Sequence, residues 1–304
     1  MKNISLERAI GTIRAIIAAY REPIEQLEPP VRSMTAMVST YILLIIILVV
    51  QFFPLVWALL TSLMTPQETI SNPITLLPLH PSFSSYIQTL QGDIGHYYNN
   101  STIAATVSTV ITMVLATLAA YAFARLRFRF KTTLLLFMLS FSLFPALAQV
   151  IPVYQILQKL HLIGTLPGLI LPYSIMGLPL AVLVLIAIFQ DIPSELEEAA
   201  AVDGLSRWGT FLRVIIPSTL PGLFTATVIV FVGDWNEYLF ALNYTTPNTN
   251  TLPVGLVTIS QTQAATNFTV LSAAALISVV PLIVRILSME RSFVSNLTVG
   301  IFTR

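Results

Sequence analysis

The stretch that decides the fold of this chain runs from Asp191 to Pro217 and reads DIPSELEEAAAVDGLSRWGTFLRVIIP. It is the one long polar interruption in the second half of the sequence. The apolar segments on either side, 168–190 and 215–240, are each long enough to cross a bilayer. A polar segment between two spanning helices emerges from the membrane, so we expect a partner outside the bilayer to recognise this loop.

The loop has the residue pattern of a short helix, a turn and a second helix. Pro193 suits a first helical position, and the glutamates after it place negative charge at the positive end of the helix dipole. Three alanines continue the helix, and Gly204 can take the left-handed conformation that ends one. The sequence therefore predicts a helix from near Pro193 to near Asp203. One narrow face of it is small and apolar with a carboxylate at its end: Leu196, Ala199, Ala200 and Asp203. Such a face fits a groove on a partner.

The composition is typical of an integral membrane protein. Of the 304 residues, 55% are hydrophobic and 10% are charged, and the mean hydropathy is +0.82. Soluble domains carry about 25% charged residues. The chain has no cysteine, and its three histidines have no partner at ligand spacing, so the sequence supports neither a disulfide nor a metal site. A net charge of +1 argues against a nucleic-acid partner.

No glycine is followed by lysine, so the chain lacks a Walker A loop, and no hydrolase motif occurs either. We therefore expect no enzymatic activity and no bound cofactor in this chain. If ATP with magnesium drives the protein, a separate subunit must bind it.

A spanning helix needs about 20 mostly apolar residues. Six segments meet this requirement, which predicts an all-α, polytopic membrane protein with six transmembrane helices. The segments are 37–63, 101–124, 132–157, 168–190, 215–240 and 268–289.

The distribution of basic residues predicts the orientation, because Lys and Arg accumulate in cytoplasmic loops. All but one of the 15 Lys and Arg residues fall on one face of the six-span topology; Lys159 is the exception. That face contains the loop 191–217 and both termini. We therefore predict a multi-pass protein of the plasma (inner) membrane, in contact with lipid, with a cytoplasmic loop and cytoplasmic termini.

The predicted organisation has three parts. Residues 1–35 form a cytoplasmic amphipathic segment, with isoleucines near helical spacing and arginines among them. Residues 36–290 form the six-helix membrane domain, which includes an external loop, 65–100, rich in proline and aromatics and expected to pack without being a separate domain. Residues 291–304 form a cytoplasmic C-terminal tail.

The order Glu198-Ala199-Ala200, Asp203-Gly204 and Val214-x-Ile216-Pro217 resembles the EAA loop of permease subunits in binding-protein-dependent ABC importers. Val214 and Ile216 stand where that family more often has Ile and Leu. The resemblance implies the type I importer permease fold and a coupling helix that docks into a cleft of a cytoplasmic ATPase. The implied coupling residues are Glu198, Ala199, Ala200, Asp203, Gly204 and Pro217. For an isolated Glu-Ala-Ala run the alternative would be an ordinary amphipathic surface helix.

Beyond the loop, the chain resembles the maltose-type carbohydrate branch of these permeases, and in particular its smaller subunit. The resemblance rests on the runs FPLVW from Phe53, AAYAFARLRF from Ala119, TLPVGL from Thr251, and a C-terminal pattern with Leu297, Thr298 and Gly300. In the family that tail contacts the ATPase, although Asn296 here replaces a usual glycine. The implied partners are a second, homologous permease that completes a heterodimer, an ATPase dimer, and an external sugar-binding protein.

Trp235, Asn236, Glu237 and Tyr238 match a run common in that branch and are candidates for the substrate pathway. Aromatic rings stack on sugars, and amides or carboxylates bond to hydroxyl groups. The alternative is an aromatic belt at the outer interface with solvated carboxylates, because about 1.5 Å per residue from a start near 215 places this run near the outer surface.

Two other functions remain possible at this point. An ion-driven secondary transporter would need ionisable residues deep in the membrane, and the predicted spans hold only Asp234, Glu237 and Arg285, all near their ends. An ABC importer permease for amino acids or glycerol phosphate would share the loop. Only the carbohydrate-type runs argue against it, and the resemblance leaves glycerol phosphate open because its carriers belong to the same branch.

Overall fold

The structure, a computed structural model, describes the backbone of residues 34–73, 75–262 and 268–301. Every regular element in these ranges is helical. The helices are α1 (Met34–Leu63), α2 (Pro66–Thr69), α3 (Ser84–Gln91), α4 (Ile94–Arg125), α5 (Lys131–Ser142), α6 (Ala146–Lys159), α7 (Pro167–Gln190), α8 (Glu195–Val202), α9 (Arg207–Thr210), a π-helical turn (Phe211–Ile215), α10 (Ile216–Ser218), α11 (Leu220–Trp235), α12 (Leu239–Tyr244), α13 (Leu252–Thr262) and α14 (Phe268–Ile301). The predicted all-α class agrees with these ranges.

The chain divides into two compact units, Met1–Trp57 and Ala58–Arg304. In the first unit, the described residues form most of the long apolar helix α1, in which Phe53 and Trp57 stack with ring centroids 6.2 Å apart. The second unit contains all the other helices, and its core lies where α4, α7 and α11 pack together.

Small side chains bring α4 and α7 close to each other. Ala116 and Ala120 on α4 are fully buried, and they lie in one apolar cluster with Ala181 and Val182 on α7. Small residues at a helix interface let the backbones approach, which is how helices associate in a membrane, where no hydrophobic force drives them together. The α4–α7 pair therefore forms the frame to which the other helices of this unit attach.

The predicted six spans are confirmed only in part. Three described helices are long and apolar enough to cross a membrane singly: Met37–Leu63, Ile94–Arg125 and Pro167–Gln190. Two bent pairs raise the number to five if each pair is one span. The sixth predicted segment lies in α14, whose described apolar part, Phe268–Val284, is shorter. Among the described residues, six spans are thus not established.

The predicted third span, 132–157, is a pair of helices, α5 and α6, that meet at an angle of 97°. The break falls at Leu143 to Pro145. Proline lacks an N–H and restricts the residue before it to extended conformations, so a helix normally stops there. Pro145 in the sequence indicates this break, but a count of apolar residues does not detect it.

The predicted fifth span, 215–240, is also shorter than expected, because α11 begins at Leu220 and ends at Trp235. The helical segment Arg207–Ser218 precedes it at an angle of 76°. Just before the bend, the N–H of Ile216 bonds to the carbonyl of Phe211, five residues back. Pro217 follows and has no N–H to give, so the regular ladder is interrupted here.

The segment 65–100, predicted to be an external loop, is more helical than predicted, since α2, α3 and the first turns of α4 lie in it. The carboxylate of Glu68 organises its first part by accepting the backbone N–H groups of Thr65, Leu79 and His80 at 2.9, 3.1 and 3.0 Å. The helix α3 packs against α14. The segment 65–100 is therefore a folded part of the second unit.

The two predicted terminal segments fall largely outside this description. The amphipathic segment 1–35 lies outside the described residues except for its last two positions, which begin α1. At the other end, α14 continues without a break from Phe268 to Ile301, so the predicted boundary at 290 does not coincide with a helix end. The side chains of the tail residues Leu297, Thr298 and Gly300 lie outside the described set.

Candidate functional site

The loop between α7 and α11 holds the residues that the sequence singles out. Its first helix, α8, begins at Glu195, two residues after the predicted start, and ends at Val202. Ser194 precedes the helix, and its carbonyl accepts the N–H groups of Glu197 and Glu198 at 3.0 and 3.1 Å. Three glutamates occupy the first turn, where the helix dipole favours negative charge.

The helix ends where the sequence predicts. Gly204 has a φ of +80°, in the left-handed region. The N–H of Leu205 bonds to the carbonyl of Ala200 at 3.0 Å, and that of Asp203 bonds to Ala199 at 3.0 Å, so the last carbonyls of α8 are satisfied. A Cβ atom at position 204 would meet no heavy atom within 4 Å. The turn thus requires glycine for its backbone conformation rather than for space.

The surface of α8 differs from the predicted apolar face in one respect. Ala200 points inward and is only 4% exposed, whereas Leu196, Ala199 and Asp203 are exposed. Val202, which the sequence did not single out, is 88% exposed. The outward face of α8 is therefore defined by Leu196, Ala199, Val202 and Asp203, and we call it the docking face. Ala200 lies on the buried side of α8.

The second half of the loop anchors α8 to the membrane helices. Ser206 caps α9 by accepting the N–H of Gly209 at 3.2 Å. Phe211 and Ile215 are buried in the same apolar cluster as Phe189 of α7. Pro217 lies beyond them, exposed, at the base of the bend into α11. The exposed helix α8 is thus followed by a segment with side chains that are buried against the membrane helices.

A link to α4 was missed in the sequence. Nε of Arg125, at the C-terminal end of α4, lies 3.0 Å from Oε1 of Glu197 on α8. The hydroxyl of Tyr121 donates to the other oxygen of Glu197 at 3.4 Å. The run that contains Tyr121 and Arg125 was noted only for its family likeness. Nothing in a single sequence pairs it with a particular glutamate.

The pathway candidates at the C-terminal end of α11 differ in their surroundings. The ring of Trp235 is 4% exposed and packs between Tyr98 and Phe231, with centroids 5.6 and 5.8 Å away. Asn236 is exposed, and its amide donates to the carbonyl of Val232 at 2.8 Å. Trp235 thus contributes to the core, whereas Asn236 lies at the surface.

Glu237 is engaged in holding the fold together. Its carboxylate accepts the hydroxyl of Tyr173 on α7 at 2.7 Å and the N–H groups of Phe240 and Ala241 at 2.8 and 3.1 Å. These bonds fix the start of α12 to α7. Tyr238, beside it, is half-buried. In this conformation Asn236 is the exposed member of the run, and Glu237 and Tyr238 are each partly exposed.

Metal chemistry has no centre in the described part of the chain. No group of three or more His, Asp or Glu side chains is placed there to hold an ion. What the geometry of 191–217 can do is bind: it presents a short, exposed helix whose docking face is mainly apolar.

Residues 112–293 match the family model described as "Binding-protein-dependent transport system inner membrane component". Among curated proteins, the chain is 37% identical to the sulfoquinovosyl glycerol transport system permease protein SmoH of Agrobacterium fabrum, over 84% of this chain and 90% of that protein. It is 31% identical to the trehalose/maltose transport system permease protein MalG of Thermococcus litoralis, over 84% of this chain and 93% of that protein. The trehalose transport system permease protein SugB of Mycobacterium tuberculosis is 37% identical, over 81% and 90%.

Solved structures support the same fold. A chain of a bacterial ABC transporter involved in the import of the acidic polysaccharide alginate superposes with a TM-score of 0.72 at 20% identity, over 87% of this chain and 98% of that one. A chain of the MetNI methionine ABC transporter gives 0.53 at 16% identity, over 71% and 99%. At these identities the likeness concerns the fold alone.

Proposed function

The chain belongs to the family of binding-protein-dependent transport system inner membrane components, and we propose that it is a permease subunit of an ATP-driven sugar importer. In this role it forms half of the membrane passage for a di- or oligosaccharide or a related glycoside. A separate ATPase supplies the energy. The single observation that carries the coupling part of the proposal is the exposed docking face of α8.

The class of substrate is supported by the sequence relatives. SmoH, MalG and SugB are named for glycosides or disaccharides, and each is at least 31% identical to this chain over more than four fifths of it. The fold by itself does not separate sugar importers from others, because the alginate and methionine transporters share it. The carbohydrate assignment therefore depends on sequence, and the named glycosides share a sugar ring with several hydroxyl groups.

The docking face suits the proposed contact with the ATPase. The docking face carries an apolar stripe formed by Leu196, Ala199 and Val202. The stripe extends about one helical turn to each side of Ala199, and because alanine is small the surface of the helix is shallow there. Short helices laid into grooves bind through such stripes. We propose that α8 occupies a cleft of the ATPase, with Glu198 and Asp203 at its margins.

The remaining parts of the proposal rest on the distribution of Lys and Arg and on the absence of a nucleotide-binding motif from the sequence. No Walker A pattern occurs in the sequence, so ATP and magnesium are assigned to the partner. The concentration of Lys and Arg on one face places the loop 191–217 and both termini in the cytoplasm. A second, homologous permease completes the passage, and an external binding protein delivers the sugar to the face that contains α2 and α3.

The test is transport by the assembled system. The chain is co-produced with a second permease, an ATPase and a binding protein from its own organism, and the complex is reconstituted into vesicles. Uptake of labelled trehalose, maltose and sulfoquinovosyl glycerol is measured with and without ATP, and methionine and glycerol phosphate serve as controls. We expect uptake of a sugar that requires both ATP and the binding protein. Uptake of methionine or glycerol phosphate but of no sugar, or uptake driven by an ion gradient without ATP, would contradict the proposal.

A further inference from the structure

The C-terminal end of α4 contacts the loop 191–217 at three separate places. The guanidinium of Arg125 donates to the carbonyl of Ile192, before α8 begins. The same guanidinium pairs with Glu197 within α8, Nε to Oε1 at 3.0 Å. The ring of Tyr121 lies 4.7 Å from that of Phe211, after α8 ends. Tyr121 and Arg125 are four residues apart and so share one face of α4. One helical turn of α4 therefore holds the loop before, within and after α8.

Both oxygens of Glu197 contact this turn of α4, Oε1 through an ion pair without a hydrogen bond and Oε2 through a hydrogen bond. Oε1 faces Arg125, and Oε2 accepts the hydroxyl of Tyr121 at 3.4 Å. The ring of Tyr121 is itself fixed against Phe189 of α7, with centroids 6.0 Å apart. The carboxylate therefore has a defined position relative to the helix frame.

The surroundings of the pair favour a firm link. The side chains of Arg125 and Glu197 are 16% and 26% exposed. Exposed ion pairs contribute little because water and salt screen them, and this pair is largely shielded from both. The planar guanidinium also has enough donors to hold a carbonyl and a carboxylate together, which a lysine ammonium does less well.

Other connections between α8 and the helix frame are few. Ala200 is the only side chain of α8 that is buried, and an alanine offers little contact area. Glu195 and Glu198, on the same helix, are exposed. A force applied to α8 from outside would therefore reach α4 through Glu197, and from α4 it would pass to α7 and α11, which pack on α4.

We propose that the Arg125–Glu197 pair, held by Tyr121, is the positioning link that transmits movement of α8 to α4. This inference rests on the coupling function proposed above and adds to it the residues that carry the movement into the membrane. Arg125 and Glu197 make no contact with sugar or nucleotide in this role. They keep α8 and α4 in a fixed relation, so that a displacement of the docking face turns into a displacement of the membrane helices.

The experiment measures the ATP hydrolysed per sugar imported by the reconstituted complex. The test variants are Arg125→Ala, Arg125→Lys and Glu197→Gln, together with the double variant Arg125→Ala/Glu197→Gln. The matched controls are Arg127→Ala and Glu195→Gln, which remove the same charges from exposed positions close by on the same segments. Copurification with the ATPase is measured for every variant.

We expect the ATP used per sugar to rise by about fivefold or more in Arg125→Ala and Glu197→Gln, which is the lower range of coupling between distant sites. The two controls should match the wild type. Arg125→Lys should be intermediate, and the double variant should be no worse than the worse single variant, because the two residues act as one unit.

An unchanged ratio in both single variants, or additive effects in the double variant, would overturn the link. Loss of ATPase binding in both Glu197→Gln and Arg125→Lys would also overturn it, because the pair would then serve assembly rather than transmission. Failure of the wild-type complex to import any sugar contradicts the proposed function instead. The two outcomes are therefore distinguishable within one set of measurements.

Discussion

The hydroxyl of Ser108 on α4 donates a hydrogen bond of 2.5 Å to the carboxylate of Asp234 on α11. Ser108 is fully buried, and the bond joins two helices in the centre of the second unit. A carboxylate in such a place is stabilised by its hydrogen bonds, since a buried acceptor without a partner is expensive.

Ser108→Ala should therefore destabilise the protein. Removal of the hydroxyl leaves the oxygen of Asp234 without this donor, and we expect a loss of about 1 to 3 kcal/mol in the free energy of unfolding. Thermal unfolding of the detergent-solubilised protein measures it. Ser140→Ala is the matched control, because Ser140 is exposed and bonds only within its own helix, to the carbonyl of Phe137. Equal melting temperatures for Ser108→Ala and the control would contradict this account.

Gly255 lies where a side chain would collide with a ring. A Cβ atom there would be 2.1 Å from Cδ2 of Tyr97, and Tyr97 is itself buried. We expect Gly255→Ala to reduce the free energy of unfolding by about 1 to 3 kcal/mol through overpacking. Gly95→Ala, on the first turn of α4, should be neutral or stabilising, because a Cβ atom there meets nothing within 4 Å and alanine favours helix. The same thermal measurement compares the two, and a stable Gly255→Ala variant would refute the argument.

The conformational preferences of individual residues predicted the backbone structure of the loop 191–217 well. Glutamates, alanines and Gly204 fix where α8 runs and how it ends, because these preferences act within a few residues. Which side of α8 faces inward was not predictable, since that depends on how the π-helical turn Phe211–Ile215 contacts α8. Ala199 and Ala200 are chemically the same, yet one is exposed and the other is buried.

The hydropathy of the sequence predicted that this chain is a membrane protein, but it predicted the arrangement of the helices only in part. It counts apolar residues and is insensitive to a bend, so 132–157 reads as one span although Pro145 interrupts it. The burial of Trp235 was also beyond a single sequence, because it depends on Tyr98 from another helix. The Arg125–Glu197 pair was missed for the same reason: its members lie far apart in the chain and are joined only by the packing of α4 against the loop.

Gly204 permits a test of backbone conformation without a steric effect. At φ +80° an L-residue other than glycine is disfavoured by about 1 kcal/mol or more, and a β-branched residue is disfavoured most. We expect Gly204→Val to impair sugar uptake by displacing α9 relative to α8, and Gly204→Asn to retain it, because asparagine tolerates this conformation. Uptake by the reconstituted complex is the measurement. Similar uptake by both variants would show that the left-handed turn is not required.

The hydrogen bonds of Glu68 predict that the stability of the segment 65–100 depends on pH. Hydrogen bonds from the backbone N–H groups of Thr65, His80 and Leu79 and from the Thr65 hydroxyl hold the pKa of its carboxyl below the ordinary value of 4.5, against the opposing effect of partial burial. The stabilisation is fully present above the unfolded-state pKa, near 4.5, and is lost as pH falls through the lower folded-state pKa.

The wild type should therefore melt at a higher temperature than Glu68→Gln at neutral pH, and the difference should disappear as pH falls below about 4.5. Melting temperatures of both proteins between pH 3 and 7 provide the test. Glu195→Gln, which removes an exposed carboxylate, should show no such convergence. A constant difference between wild type and Glu68→Gln across the pH range would contradict the assigned role.

The docking face is the central element of this account, and one measurement tests it most directly. Binding energy concentrates in few residues at the centre of a small interface, and Ala199 lies at the centre of the docking face. Ala199→Trp and Thr132→Trp are compared in the reconstituted complex, because each adds a tryptophan at an exposed position, and Thr132 lies outside the loop. Binding-protein-stimulated ATP hydrolysis and sugar uptake are recorded for both. We predict that Ala199→Trp inserts normally but loses stimulated hydrolysis and uptake, while Thr132→Trp keeps both; wild-type values for Ala199→Trp would contradict the claim that α8 couples the ATPase to transport.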